Sequence, residues 1–144
     1  MEIPGNPIPQ ARHRHFKFGV YDPCKKDKEH FLSKAFKNYN YNNEFNHLPR
    51  LDPLYVKIIF HLKRPKYHYG TGRNTGKLKE KYKDISFNKK PDIDNLVKFV
   101  FDALQGHNGF YLDDSQIIQI IAEKQYSETP HTSIWIYEEK IDKN

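Results

Sequence analysis

Asp92 and Asp94 stand two positions apart, and the adjacent pair Asp113 and Asp114 follows about twenty residues later. Carboxylates that converge repel one another and raise one another's pKa unless a cation neutralises them. An all-oxygen ligand set of this kind suits Mg²⁺ or Mn²⁺ rather than zinc. Lys98 lies one helical turn beyond Asp94, and Asp102 one turn beyond Lys98. On a plain helix surface Lys98 pairs with these acids for about 0.3–0.5 kcal/mol. In a reactive site the same lysine is a cation at the edge of a bound phosphate. For Asp92 and Asp94 the structural alternative is capping, since acids in a first turn satisfy orphan N–H groups and suit the helix dipole.

These residues need elements to position them. Ile93, Leu96, Val97, Val100, Phe101 and Leu104 recur at helical spacing, with Pro91-Asp92 before them and Gly106 after, so a helix is predicted over 92–105. Such a helix is ~20 Å long. The turn at 106–109 and Phe110–Leu112 then offer enough chain to return to the helix start, where the acids would meet. Residues 54–62 alternate, with Val56, Ile58, Phe60 and Leu62 on one face and Tyr55, Lys57, Ile59 and His61 on the other, which predicts a strand. Two more β-rich runs are expected at 117–126 and 132–138, around a turn at Glu128-Thr129-Pro130. In the second, Ile134 and Ile136 face one way, Ser133, Trp135 and Tyr137 the other. Pro4, Pro7 and Pro9 make residues 2–9 extended and exclude a helix or a central strand there. Asp22-Pro23 starts a helix over about 23–41, ended by the Asn-rich stretch from Asn38 to Asn46. The expected order is β-α-β-loop-α-β-β, an α+β (mixed α/β) domain spanning residues 1–144.

Composition narrows the function. The chain has 144 residues, a net charge of +6 and a mean hydropathy of −0.90, with ten Phe and ten Tyr to furnish a core. The single Cys24 excludes an internal disulfide and a multi-cysteine zinc site. No apolar run reaches membrane-spanning length, and the first residues lack the apolar stretch of a secretory signal, so a reducing, cytoplasmic setting is expected. Residues 63–90 carry ten Lys+Arg against two acids; residues 91–114 carry one against five. The basic part, about 64–90, has no apolar period and reads as a mobile loop. Its Lys77, Lys79, Lys81, Lys83, Lys89 and Lys90, with Arg12 and Arg14, are the candidate DNA-phosphate contacts. His13 and His15 share the Arg-rich stretch and suit phosphate better than zinc. Trp135 and Tyr67–Tyr69 offer stacking surfaces for bases, against plain core and loop roles.

The run Lys90-Pro91-Asp92-Ile93-Asp94-Asn95-Leu96-Val97-Lys98, then Phe101-Asp102-Ala103-Leu104, then Asp113-Asp114-Ser115-Gln116-Ile117 resembles the RusA family of Holliday junction resolvases. The opening Pro4-Gly5-Asn6-Pro7-Ile8-Pro9 with Arg12 and Arg14 is similar to that family's start. The first strand is shorter, and the 64–90 loop more basic, than that family leads one to expect. The resemblance implies a small mixed sheet of about four strands with two main helices. It implies a homodimeric, Mg²⁺-dependent endonuclease that cuts four-way DNA junctions symmetrically, in a bacterial, phage or prophage setting of recombination and repair. It also implies that Asp92, Asp94 and Asp114 are the catalytic and metal-holding acids, that Asp113 joins them as a ligand, and that Lys98 is the essential lysine.

Two other readings follow from the residues. Pro91-Asp92 with Glu138-Glu139-Lys140 spells the elements of a PD-(D/E)xK-type nuclease. Alternatively, Arg12, Arg14 and the Lys-rich loop make a non-catalytic nucleic-acid-binding module in which the acids merely cap. Divalent-metal-dependent cleavage of branched DNA separates these classes.

Overall fold

A computed structural model of the chain describes residues 1–39 and 48–139. In chain order the elements are β1 (Glu2–Pro4), β2 (Arg14–Phe16), β3 (Gly19–Tyr21), α1 (Lys25–Asn38), β4 (Leu54–Lys63), α2 (Ile93–Leu104), β5 (Ile117–Ser127) and β6 (His131–Glu138). Four strands form one mixed sheet in the order β1-β6-β4-β5, and β2 with β3 forms a separate ribbon. The α+β class, the two helices and the four-stranded sheet match the expectation.

β4 is the hub. It runs parallel to β5 and antiparallel to β6, with Val56 beside Ile120 on one flank and Ile136 on the other. Its alternation puts Leu54, Val56, Ile58, Phe60 and Leu62 in the core, while Lys57 stays exposed on the far face. Each such large side chain contributes about 1.5–3 kcal/mol by leaving water. β1, which ends in Pro4, lies at the sheet edge, where a missing N–H is tolerated.

Both helices contribute to the core beside β4, and β4, α2 and β5 form a parallel crossover unit. The apolar face of α2 is wider than its periodicity suggests. Leu96, Val100 and Leu104 are buried as expected, but so are Phe99 and Ala103, whereas Ile93 is exposed. Phe99 meets Phe31 of α1 edge-on at 5.6 Å, so α2 is apolar on the side facing α1 as well.

Three expectations are corrected. The first helix begins at Lys25 with Cys24 as its cap, two residues later than predicted, and Asp22 Oδ1 accepts the Cys24 N–H at 2.9 Å. It ends at Asn38, and the asparagines beyond Asn38 lie outside the described residues. The β2–β3 ribbon escaped the sequence reading, because three-residue strands give no measurable alternation. Residues 64–90 contain no long helix or strand, but they are not featureless. They make three short 3₁₀ turns, at Lys66–His68, Gly72–Asn74 and Glu80–Tyr82. They also enclose His68, fully buried between Tyr67, Tyr82 and Tyr126, with its ring stacked on Tyr82 at 4.2 Å. Burial, with Arg64 and Lys89 nearby, pushes the His68 pKa down, so the ring is neutral. Tyr67 sits at the edge of this aromatic knot, half exposed.

Candidate active site

α2 carries Asp94, Lys98 and Asp102 on one face, at intervals of one turn. That face forms a wall of a cleft of about 1020 Å³, whose lining also includes Arg12, His13, Asp114 and Ile120. Two devices position the wall. Lys124 of β5 donates to the carbonyls of Lys89 (2.7 Å) and Pro91 (2.9 Å), which ties the end of the basic segment to the start of α2. At the other end, the chain reverses tightly: Phe110 N–H donates to Leu104 O at 2.7 Å and Gly106 N–H to Tyr111 O at 2.9 Å. A Cβ on Gly109 would sit 2.2 Å from Leu104 O, so only glycine fits there. Tyr111 is buried below and donates its hydroxyl to Phe101 O at 2.8 Å.

This reversal fixes the second acid pair. Asp113 caps the 3₁₀ turn Asp114–Gln116 by accepting the Ser115 N–H at 2.9 Å, and Gln116 returns the favour by accepting the Asp113 N–H at 2.9 Å. The bonds from Ser115 hold the Asp113 carboxyl below the usual range. Asp114 N–H donates to Gln105 Oε1 at 3.2 Å, and Gln105 Nε2 donates to Asp102 Oδ1 at 3.3 Å. Asp114 therefore sits beside the last turn of α2, not its start. Burial first, then the Asp113 and Asp102 carboxylates, push its pKa up.

The four sequence-predicted acids are thus not gathered at one point. Among the described residues, no three His, Cys, Asp or Glu stand close enough to hold a metal ion together. Asp94 and Asp114 share the cleft with Lys98 and Arg12, with about 12 Å of helix rise between Asp94 and Asp102. Asp92 lies at the α2 start outside the cleft lining, gripped at 2.9 Å by Lys90. Capping does not explain it, since its side chain makes no cap hydrogen bond. Asp94 makes no hydrogen bond or ion pair with any described residue. Nor does Lys98, so the expected pairing along the helix is absent. Asp102 turns instead to Lys28 of α1, at 3.0 Å.

The cleft carboxylates are the hard oxygen donors a divalent cation prefers, but they stand apart along α2 rather than around one point. Mg²⁺ commonly takes one or two protein carboxylates and completes its shell with water and phosphate oxygens. Asp94 offers an uncommitted carboxylate on the cleft wall, and Asp114 a second one beside Gln105.

The basic residues divide. Arg12 lines the cleft, as do His13 and His15, while Arg14 is exposed on the ribbon outside the lining. Lys77 and Lys79 are exposed without an ion pair, whereas Lys83 is held by Glu80 at 2.6 Å, Lys89 donates to Tyr67 Oη at 2.8 Å, Lys81 lies over the Tyr82 ring and Lys90 grips Asp92. Glu138 pairs with Arg50 at 3.3 Å and Glu139 accepts from Tyr55, both away from the cleft lining, and Lys140 lies outside the described residues. Both glutamates of the PD-(D/E)xK reading are thus engaged outside the cleft, and its lysine lies outside the described residues.

A residue the sequence reading passed over is Lys28. Its ammonium, a tenth exposed, bonds both Asp22 and Asp102 and joins α1 to α2 behind the cleft. Burial alone would push the Asp22 carboxyl up. Hydrogen bonds from Lys28, the Cys24 N–H and Gln10 reverse that and hold it at about 2. A lysine inside the all-polar run Lys25–His30 carries no signal that it is buried.

Comparison with known proteins adds two findings. The family model described as "Endodeoxyribonuclease RusA" matches residues 4–137. The chain is 33% identical over 143 residues to the "Uncharacterized protein YqaN" of Bacillus subtilis (strain 168), covering 93% of this chain and 92% of that one.

Proposed function

The chain belongs to the RusA endodeoxyribonuclease family, and from that membership we propose that it resolves four-way DNA junctions by Mg²⁺-dependent phosphodiester hydrolysis. The observation that carries this reading is the cleft in which Asp94, Asp114, Lys98 and Arg12 face one volume. Arg12 and the exposed lysines of 77–90 bind DNA phosphates, which positions the arms without reading sequence. Lys98, free of any carboxylate partner, holds its ammonium against the scissile phosphate and stabilises the charge that grows on its oxygens. Asp94, with Asp92 at the rim, would hold Mg²⁺ or Mn²⁺ whose shell water and phosphate oxygens complete; Asp114 offers its carboxylate at the far end of α2, where Asp113 is engaged as a cap and fixes it. When bound, the ion supplies Lewis acidity at the phosphoryl group and a nucleophilic water at neutral pH. The products are a 5′-phosphate and a 3′-hydroxyl.

A homodimer follows from the substrate's symmetry, since two equivalent strands need two sites. The outer strand β5 supports it, with Ile118, Ile120 and Ile121 exposed on an unpaired sheet edge. The work of such an enzyme is DNA recombination and repair in a bacterial or phage-infected cytoplasm; no helix among the described residues is long and apolar enough to cross a membrane. The test is cleavage of a synthetic four-way junction, a linear duplex and a Y-fork, with and without Mg²⁺, by the wild-type chain and by Asp94→Asn. Junction-selective, Mg²⁺-dependent nicking that Asp94→Asn abolishes while still binding the junction supports the reading. Equal cutting by Asp94→Asn refutes the assigned site, and no cutting by the wild type refutes the function.

A further inference from the structure

The β2–β3 ribbon has no core. All six of its strand residues are exposed, and Lys17 and Phe18 make its turn. Four large apolar side chains stand in solvent there: Phe16, Phe18, Val20 and Tyr21. Phe18, at the tip, is 84% exposed, with Lys17 Nζ 5.6 Å from its ring centre, while Phe16 rests on Tyr21 at 5.9 Å and stiffens the stem. A two-stranded ribbon with nothing packed on it is marginal in water. Its aromatic residues therefore point to a surface that something else covers.

The root, by contrast, is pinned. Gln10 N–H donates to Asn95 O of α2 at 2.9 Å, and Gln10 Nε2 donates to Asp22 Oδ1 at 3.2 Å. Asp22 is bonded to Lys28, and Lys28 to Asp102. The ribbon is thereby anchored to the helix that carries Asp94 and Lys98, and its residue His15 lines the same cleft. The tip is free while its base is fixed relative to the site.

We propose that this ribbon is a base-stacking probe: Phe18 stacks on a base left unstacked at the DNA branch point, while Arg12, Arg14 and Lys17 hold the flanking phosphates. The inference rests on the nuclease reading above. Cationic residues interleaved with exposed aromatics are what unpaired nucleic acid selects, because every base has a π face and every nucleotide a phosphate. A protein partner is disfavoured by Lys17, whose ammonium lies 5.6 Å from the Phe18 ring and would have to be desolvated at the centre of such an interface, where lysine is normally depleted. The exposed isoleucines of β5 offer a second copy of the chain a better surface.

The experiment measures binding in EDTA, without cleavage, to a four-way junction carrying 2-aminopurine at the branch point and to a linear duplex. Phe18→Ala is expected to weaken junction binding by about 5- to 150-fold, the effect of losing one base stack. It should also abolish the 2-aminopurine emission change that the wild type produces, and leave duplex binding within about twofold. Phe18→Trp should restore the signal and the affinity. Unchanged junction affinity in Phe18→Ala, an equal loss on duplex and junction, or conversion of a dimer to a monomer on sedimentation would each overturn the stacking role. In those cases junction cleavage by the wild type leaves the nuclease reading standing. A wild type that prefers no branched DNA overturns both.

Discussion

Lys28 lies outside the cleft lining though it bonds Asp102 of the wall, and the consequences of removing it are calculable. In Lys28→Met the chain keeps its volume in α1 but leaves Asp22 and Asp102 facing each other's side of the joint without a cation. The Asp22 carboxyl stands at about 2 against an ordinary 3.8, and that gap is worth about 2 kcal/mol of stability at neutral pH. Not all of it is lost, because the Cys24 N–H and Gln10 still donate. Burial is now uncompensated, however, and in related cases breaking such a pair costs about 3–5 kcal/mol. Asp22 is a fifth exposed, so a loss of about 2 kcal/mol at pH 7 is expected from urea unfolding. The pH dependence carries the clearer signature. A carboxyl depressed by folding stabilises above its unfolded pKa and loses that stabilisation as pH falls through its folded pKa. Wild-type stability should therefore decline between about pH 4 and pH 2, and Lys28→Met should show a shallower decline there. Equal urea midpoints for the two proteins at pH 7, or parallel declines in acid, would refute the argument that this lysine joins the helices.

Lys98→Ala should slow single-turnover junction cleavage by about 10²–10³ at saturating enzyme and Mg²⁺, with little change in stability because Lys98 has no partner to lose; a rate within threefold of wild type would return it to the helix surface. Neutralising Lys77, Lys79, Lys81 and Lys83 together should flatten the salt dependence of binding by about 0.9 per lost duplex phosphate contact in log–log slope, with Lys77 and Lys79 contributing most because Lys83 is already held by Glu80; a slope equal to wild type would remove the segment from the DNA interface.

Long periodic elements were legible in the sequence. β4 alternates over ten residues and α2 repeats its apolar positions over three turns, so their extents and the inward face of β4 could be read directly. The parts that resisted reading depend on tertiary choices. Phe99 and Ala103 are buried because α1 happens to cover that side of α2, which no single-helix period records. The candidate acids were visible as residue types, but their meeting place was not. The chain reversal at Gly109 is tight enough to leave Asp114 beside Gln105 at the far end of the helix. The same holds for Lys28 and the short ribbon: one is a charge whose burial is decided by two carboxylates, one of them 74 residues away, the other a structure too small to leave a pattern.

The placement of β4 between β5 and β6 has a consequence for how the chain reaches this state. Only Glu128, Thr129 and Pro130 separate β5 from β6, yet in the sheet those strands lie on opposite flanks of β4 and never pair. The three connecting residues bridge the end of β4, a span of about 10 Å between second-neighbour strands. For a nascent chain the cheapest contact is the local one, β5 folding directly onto β6 as an antiparallel hairpin, because closing so short a loop costs little entropy. That hairpin excludes β4 and must open before the sheet can form. Formation of the native sheet is therefore governed by insertion of a strand from more than fifty residues upstream, which places this small protein among slow, high-contact-order folders. Substitutions at Glu128, whose side chain makes no hydrogen bond or ion pair with any described residue in the finished fold, that favour a tight turn should trap the hairpin and slow refolding while leaving the Thr129 and Pro130 backbone bonds in place.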